Sequence, residues 1–235
     1  MISLIPSPRR MIVKNEKYHA VSHTVWGHNE LWQDEIDAFC DSVCRIYGVE
    51  LTVAPGGITI VFDETLPADA YVLDSTEEVT IRVSAREGAC YGLATALQLL
   101  CEENGKLSVP AVVVEDQPDK EYRAVMVSVG RIFHPFEKLL KYIDLCYFYK
   151  VKYFHFHFAD TLLYSIPSKA FPELCKPGKC YTCEQLAALN AYAAARGVAI
   201  IPELECPGHT KLLADTYPEI FADHAQDGSI LDPAA

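Results

Sequence analysis

Two short stretches hold the residues best suited to chemistry, His155-Phe-His157-Phe-Ala-Asp160 and Glu203-Leu-Glu205-Cys-Pro-Gly-His209. Side chains alternate between the two faces of an extended strand. His155 and His157 therefore share a face with Tyr153, opposite Phe154, Phe156 and Phe158. Glu203 and Glu205 likewise share a face, Asp160 follows at the mouth of its strand, and Pro207-Gly208 turns the chain to present His209. Buried carboxylates need partners. Acids and histidines at neighbouring strand ends thus imply one polar, hydrogen-bonded pocket. A plainer role stands beside each: His155 reads as a core filler, and Glu203 reads equally as a partner for a buried backbone group or arginine. His209, exposed at a strand end, has little structural purpose.

Cysteine spacing offers a second chemistry. Cys175-x₄-Cys180-x₂-Cys183 resembles a metal knuckle, with Cys206 or a histidine as fourth ligand. Cys183, however, falls in the first turn of a helix opened by the capping box Thr182-x-x-Gln185. No metal and no cofactor is expected. The nine cysteines are odd in number and scattered through helical and strand patterns; they read as reduced thiols rather than a disulfide framework.

The elements that must position these groups follow from periodicity. Ahead of the two stretches, residues 31–47 carry Trp32, Ile36, Phe39, Val43 and Ile46 at helical spacing, stopped by Gly48. Residues 58–62, 70–73, 79–83 and 111–114 read as strands, and a second helix is expected from Gly88 to Glu103 with Gly105 beyond its end. The polar run Glu115-Asp-Gln-Pro-Asp119 marks a boundary, giving domains 1–117 and 118–235. Beyond it the order is strand (125–129), helix (136–149), strand (151–158), helix (from Thr182 to Arg196, with Gly197 behind it) and strand (198–204). Helical crossovers of this length imply parallel βαβ units. The fold class is therefore an α+β N-terminal domain followed by α/β of about three βα units; resemblance to a known family, carried by the motifs quoted below, implies that these begin a partial (β/α)₈ TIM barrel.

A net charge of −12, from 32 acidic and 20 basic residues, argues against nucleic acid and anionic membrane surfaces. No run reaches the ~18 apolar residues of a membrane span. The N-terminus lacks the apolar core of a signal peptide, so the location is expected to be cytoplasmic, although a secreted parent with its signal removed would read alike.

The order of motifs resembles family 20 of the glycoside hydrolases, the β-N-acetylhexosaminidases. Tyr122-Arg123-Ala-Val-Met-Val-Ser-Val-Gly-Arg131-x-Phe-His-Pro135 resembles that family's first barrel strand, and the two stretches above resemble its second and third. Asp116-Gln-Pro118 and the helix Tyr91-Gly-Leu-Ala-Thr-Ala-Leu-Gln98 extend the likeness upstream. The resemblance implies retaining cleavage of a terminal N-acetylhexosamine, in which the substrate's own acetamido oxygen attacks the anomeric carbon, an exception to the two-carboxylate scheme. It implies an acetamido-orienting Asp and an acid/base Glu, adjacent at the end of a fourth strand and so expected beyond Ala235. No catalytic residue is then expected in this chain, which would be inactive alone. Substrate-binding positions implied by the family are Arg123, Asp160, His157, Glu205 and His209, and the ligand would be a glycan containing N-acetylhexosamine. Glu205 stands where the family usually has Asp, Ser128 where it has Asp, and Thr161-Leu-Leu-Tyr164 replaces a polar stretch. Two further functions fit the residues: a non-catalytic sugar-binding or interaction protein on this scaffold, and a zinc module built on the cysteines. Three strands of an unclosed barrel leave open edges, so a homodimer through the open barrel edge is expected.

Overall fold

A computed structural model describes residues 2–27 and 31–221. Internal contacts divide the chain into two compact units. The first comprises 1–123 with 144–152 and 195–198, and the second comprises 124–143, 153–194 and 199–235. Two short segments that the sequence reading assigns to the second domain thus pack within the first unit.

The first unit is built on a mixed sheet of β1 (Arg10–Val21), β2 (Thr24–Gly27), β3 (Thr52–Val53), β4 (Ile58–Phe62), β5 (Tyr71–Asp74), β6 (Val79–Val83), β7 (Cys101–Glu103) and β8 (Lys106–Asp116). The strand order is β1-β8-β5-β6-β4-β2-β3, with β7 pairing β8. Helices α1 (Gln33–Tyr47) and α2 (Arg86–Leu99) supply the opposing layer. The core is formed by Phe39, Ile58, Ile60, Leu73, Ile81, Leu93 and Leu97 among others, all essentially removed from solvent. Burial of each such side chain contributes roughly 1.5–3 kcal/mol.

The second helix ends earlier than periodicity suggests. It stops at Leu99, Leu100 turns extended, and Cys101–Glu103 pairs with Lys106–Ser108 as a hairpin. Asn104 and Gly105 both have positive φ (53° and 74°), the requirement of a two-residue hairpin turn. Gly105 is a turn residue rather than a helix terminator, and the Asn-Gly pair was the signal for it. The long strand β1 also has no counterpart in the sequence reading. Its apolar alternation is broken where the register with β8 shifts between Val13 and Tyr18.

The second unit holds β9 (Ala124–Ser128), β10 (Tyr153–Ala159) and β11 (Ala199–Leu204), parallel throughout in the order β11-β10-β9. Helix α3 (Phe136–Phe148) links β9 to β10, and α4 (Cys183–Ala194) links β10 to β11; short helices α5 (Lys211–Thr216) and α6 (Pro218–Phe221) follow. Phe154, Phe156 and Phe158 are buried on one face of β10, stacked in sequence, with Tyr142 of α3 against Phe154 and Tyr181 against Phe156. That leaves the opposite face to the histidines. The capping box closes as expected, Thr182 N–H donating to Gln185 Oε1 at 2.9 Å and Gln185 N–H to Thr182 Oγ1 at 3.1 Å.

The cysteine expectation is corrected. Cys175 and Cys180 form a disulfide, because the turn through Gly178 (φ 71°) brings their Cα atoms to 5.4 Å, inside bridging range. The other seven are free thiols. Two ligands of the supposed knuckle are thereby withdrawn from metal binding as thiolates. Among the described residues no helix is long and apolar enough to cross a membrane.

Candidate functional site

Parallel pairing decides which strand ends meet. In register, His157 lies beside Ser128 on β9 and Glu203 on β11. A shift between His157 and Ala159 staggers the end of β10 against β11. Past β9 the chain continues Val129-Gly130, whose amides both donate to the His157 carbonyl at 3.0 and 3.1 Å. Gly130 presses against the end of β10: a Cβ there would stand 2.8 Å from Ala159 C and from Asp160 N. Only glycine admits this approach, and the next residue, Arg131, is delivered to Asp160.

The result is one cluster at the C-terminal ends of three parallel strands, where such folds place their sites. Arg131 Nε donates to Asp160 Oδ2 at 2.6 Å, and the Thr161 amide donates to Asp160 Oδ1 at 2.5 Å. His209 reaches both acids: Nδ1 lies 3.4 Å from Asp160 Oδ1 and Nε2 lies 3.4 Å from Glu205 Oε2. Its own backbone is left-handed (φ 56°), a conformation costing roughly 1–2 kcal/mol outside glycine. His157 Nε2 sits 3.1 Å from Glu205 Oε1 and 3.9 Å from Asp160 Oδ2, off the line of a hydrogen bond to either. Asp160 and His157 are buried, while the Arg131 side chain is 58% exposed and that of His209 49%. A buried acid is thus faced by two groups open to solvent.

Burial works to raise the Asp160 carboxyl, but hydrogen bonds from Arg131 and Thr161 outweigh it and hold Asp160 below the usual carboxylate range. The Arg131 guanidinium is raised in turn, chiefly by its hydrogen bond to Asp160. Lower on the same strands His155 Nε2 stands 2.8 Å from Glu203 Oε2 without hydrogen-bond alignment. The buried Ser128 Oγ has no hydrogen-bond partner either.

Of the sequence-derived positions, Asp160, His157, Glu205 and His209 are brought together. Arg123 is not among their partners. Its guanidinium is taken up within the first unit, donating to the carbonyls of Lys150 (3.1 Å) and Lys120 (2.5 Å) and to the Tyr91 hydroxyl (2.7 Å), with its charge 5.2 Å from the Tyr91 ring centre. The guanidinium within the cluster is that of Arg131, which the sequence reading did not single out. The signal for it was position alone: Arg131 follows the C-terminal end of its strand, whereas Arg123 precedes the N-terminal end.

The first unit contains a separate polar centre. Lys150 Nζ, nearly buried, donates to the Tyr71 hydroxyl at 2.8 Å and to Asp116 Oδ2 at 3.3 Å, and Tyr71 donates to the same Asp116 oxygen at 3.0 Å. These residues line a cavity of about 420 Å³ together with Arg9, Tyr91 and Arg123. None of the strand-end cluster lines it. Its named polar groups are already bonded to one another, which makes it a structural network.

Comparison with known proteins accords with this geometry. The family model "Glycosyl hydrolase family 20, domain 2" matches residues 1–117, and "Glycosyl hydrolase family 20, catalytic domain" matches residues 121–232. A β-hexosaminidase of Akkermansia muciniphila is 35% identical over 173 residues, covering 67% of this chain and 35% of that protein. A β-hexosaminidase of Porphyromonas gingivalis is 29% identical over 93% of this chain and 32% of its own length. The chain thus spans about a third of these relatives. Among solved structures, the family 20 β-N-acetylhexosaminidase of Streptomyces coelicolor aligns with a TM-score of 0.82 at 26% identity, over 99% of this chain and 51% of that one. The family 20 exo-β-N-acetylglucosaminidase of Vibrio harveyi in complex with N-acetylglucosamine has the same fold, with a TM-score of 0.89 at 24% identity over 98% of this chain and 42% of that one. With both parts of the family pattern present in order, and the strand-end cluster in the part that matches the catalytic domain, the chain belongs to glycosyl hydrolase family 20.

Proposed function

We propose that this chain supplies the sugar-binding wall of a β-N-acetylhexosaminidase-type glycosidase. The observation that carries the reading is the Arg131–Asp160 pair flanked by Glu205 and His209 at the open ends of parallel strands. A guanidinium and a carboxylate held side by side offer donors and acceptors to neighbouring hydroxyls of a saccharide. Arg131, rather than Arg123, provides the guanidinium. Asp160 and His209 order one another, and Glu205 adds a further acceptor. The substrate class is a terminal N-acetylhexosamine, cleaved with retention through its own acetamido group. That reading rests on the family and on relatives named β-hexosaminidases.

Hydrolysis needs a general acid adjacent to an acetamido-orienting carboxylate. Among the described residues none of the strands β9, β10 or β11 ends in an adjacent Asp-Glu pair. The 235-residue chain is accordingly proposed to bind sugar without turning it over. Ser128, with an unpartnered hydroxyl where the family has Asp, favours a second reading of the same site, a binding protein that does no chemistry. Either way β9 and β11 have outer edges unpaired among the described residues, and the chain is proposed to self-associate through them.

The test is calorimetric titration with N-acetylglucosamine beside an aryl N-acetyl-β-glucosaminide assay. Saturable binding that is lost in Arg131→Ala, without turnover, is expected. Absence of binding overturns the sugar reading. Turnover abolished by a substitution within 1–235 overturns the proposal that the chain is inactive alone.

A further inference from the structure

We infer that His157, Asp160 and Glu205 form a binding site for a divalent transition-metal ion, with zinc as the natural probe. Their ligand atoms all lie within 4.8 Å of one another. Zinc takes imidazole and carboxylate ligands at about 2.0–2.2 Å in a tetrahedral shell, so ligand atoms around one ion stand about 3.3–3.6 Å apart. A contraction of the cluster meets that condition.

The independent observation is the His157 ring. Its side chain is 3% exposed, and its Nε2 has no hydrogen-bond partner although Glu205 Oε1 lies 3.1 Å away and Asp160 Oδ2 3.9 Å. A buried imidazole nitrogen without a partner is rare and calls for an explanation. Here it is aimed between two carboxylates. An ion seated among the three satisfies the nitrogen and both acids at once.

Imidazole with two carboxylates selects zinc-like ions over magnesium and calcium, which prefer all-oxygen shells. His209 stands 3.4 Å from an oxygen of each acid and is half exposed, so a ring rotation brings a second imidazole to the ion. Arg131 is the competing cation, bonded to Asp160 Oδ2. Its side chain is 58% exposed, so it has room to swing into solvent, and the divalent charge of the ion replaces the bond that Asp160 gives up. The two acids and Arg131 leave one net negative charge, which still attracts a divalent ion. This site differs from the cysteine knuckle suggested by spacing, two of whose members are joined as a disulfide.

The inference stands apart from the sugar reading, because the quantity measured is metal bound to the protein. Calorimetric titration of the 235-residue chain with zinc chloride is expected to show one site per chain. His157→Gln and Glu205→Gln are each expected to weaken it tenfold or more. Cys183→Ser and Cys206→Ser leave it unchanged, and magnesium and calcium do not compete. Cobalt(II) substituted at the site is expected to show ligand-field bands without a sulfur-to-metal charge-transfer band. Glu205 is partly exposed, so Glu205→Gln keeps the fold even where His157→Gln does not, as circular dichroism checks. No binding at millimolar zinc, binding indifferent to Glu205→Gln, or binding lost in the cysteine variants overturns the inference.

Discussion

Arg131 Nε and Asp160 Oδ2 are 2.6 Å apart, joining residues that follow the first and second strands of the parallel sheet. The pair separates the two arginines by their partners. Arg131→Ala is expected to weaken N-acetylglucosamine binding roughly 10–100-fold through the lost guanidinium donors, with a smaller loss of stability because Asp160 keeps the Thr161 amide as a donor. Arg123→Ala is expected to do the reverse, costing about 1–3 kcal/mol of stability through the unpaired Lys150 carbonyl and Tyr91 hydroxyl. Calorimetry and denaturant unfolding on the two variants check this, and a sugar-binding defect confined to Arg123→Ala would refute it.

Asp160 gives a pH signature. Its carboxyl is lowered in the fold, so the stability it contributes is fully present above the ordinary unfolded value near ~3.9. That contribution is lost as pH falls through the lowered folded value. Asp160→Asn is expected to be less stable than the wild type by about 1–3 kcal/mol at neutral pH. The gap closes as pH falls below about 4. Urea unfolding at a series of pH values measures it; a gap that widens on acidification contradicts the Arg131 and Thr161 bonds as its source.

Lys150 tests the polar centre of the first unit. Burial lowers its ammonium from the ordinary lysine value, opposed by the charge of Asp116. Lys150→Met leaves Asp116 with the Arg9 amide and the Tyr71 hydroxyl as donors, so the loss is expected to be about 1–3 kcal/mol rather than the larger cost of a bare buried charge. In the wild type the burial cost of the ammonium is relieved as pH rises through the lowered folded value toward the unfolded one. The Lys150→Met deficit should therefore grow on that alkaline side. Thermal unfolding from neutral to alkaline pH supplies the measurement, and a variant as stable as the wild type at every pH would show the network to be idle.

The edges of the parallel sheet predict association. Val125, Met126 and Leu204 are 42%, 53% and 53% exposed on β9 and β11, and open apolar edges recruit further strands. Light scattering at micromolar concentration is expected to report a dimer for the 235-residue protein. Met126→Lys should shift it toward monomer. A monomer with exchange-protected amides through Ala199–Leu204 would exclude pairing through that edge.

What could be read from the sequence is what depends on neighbours along the chain. The alternation of Phe154, Phe156 and Phe158 with His155 and His157 predicts a two-faced strand. Thr182 and Gln185 predict a capped helix, because period and capping are local properties. The same locality explains the failures. Gly105 by itself marks a helix end or a hairpin; the Asn104 before it favours the hairpin, and the pairing of Lys106–Ser108 with Cys101–Glu103 decides it. Cys175 and Cys180 read as thiols until Gly178 folds their backbones together. The site divides along the same line. Asp160, Glu205 and His209 announce themselves at strand ends, and the only sequence signal that separates Arg131 from Arg123 is which end of the strand each lies at. Pairing of β9 with β10, and the contact that Gly130 permits, decide that Arg131 meets Asp160 while Arg123 meets Tyr91 and the Lys150 carbonyl. The orphaned Nε2 of His157 is likewise a product of register, since the alignment of β10 with β11 sets a buried imidazole between two acids it does not bond.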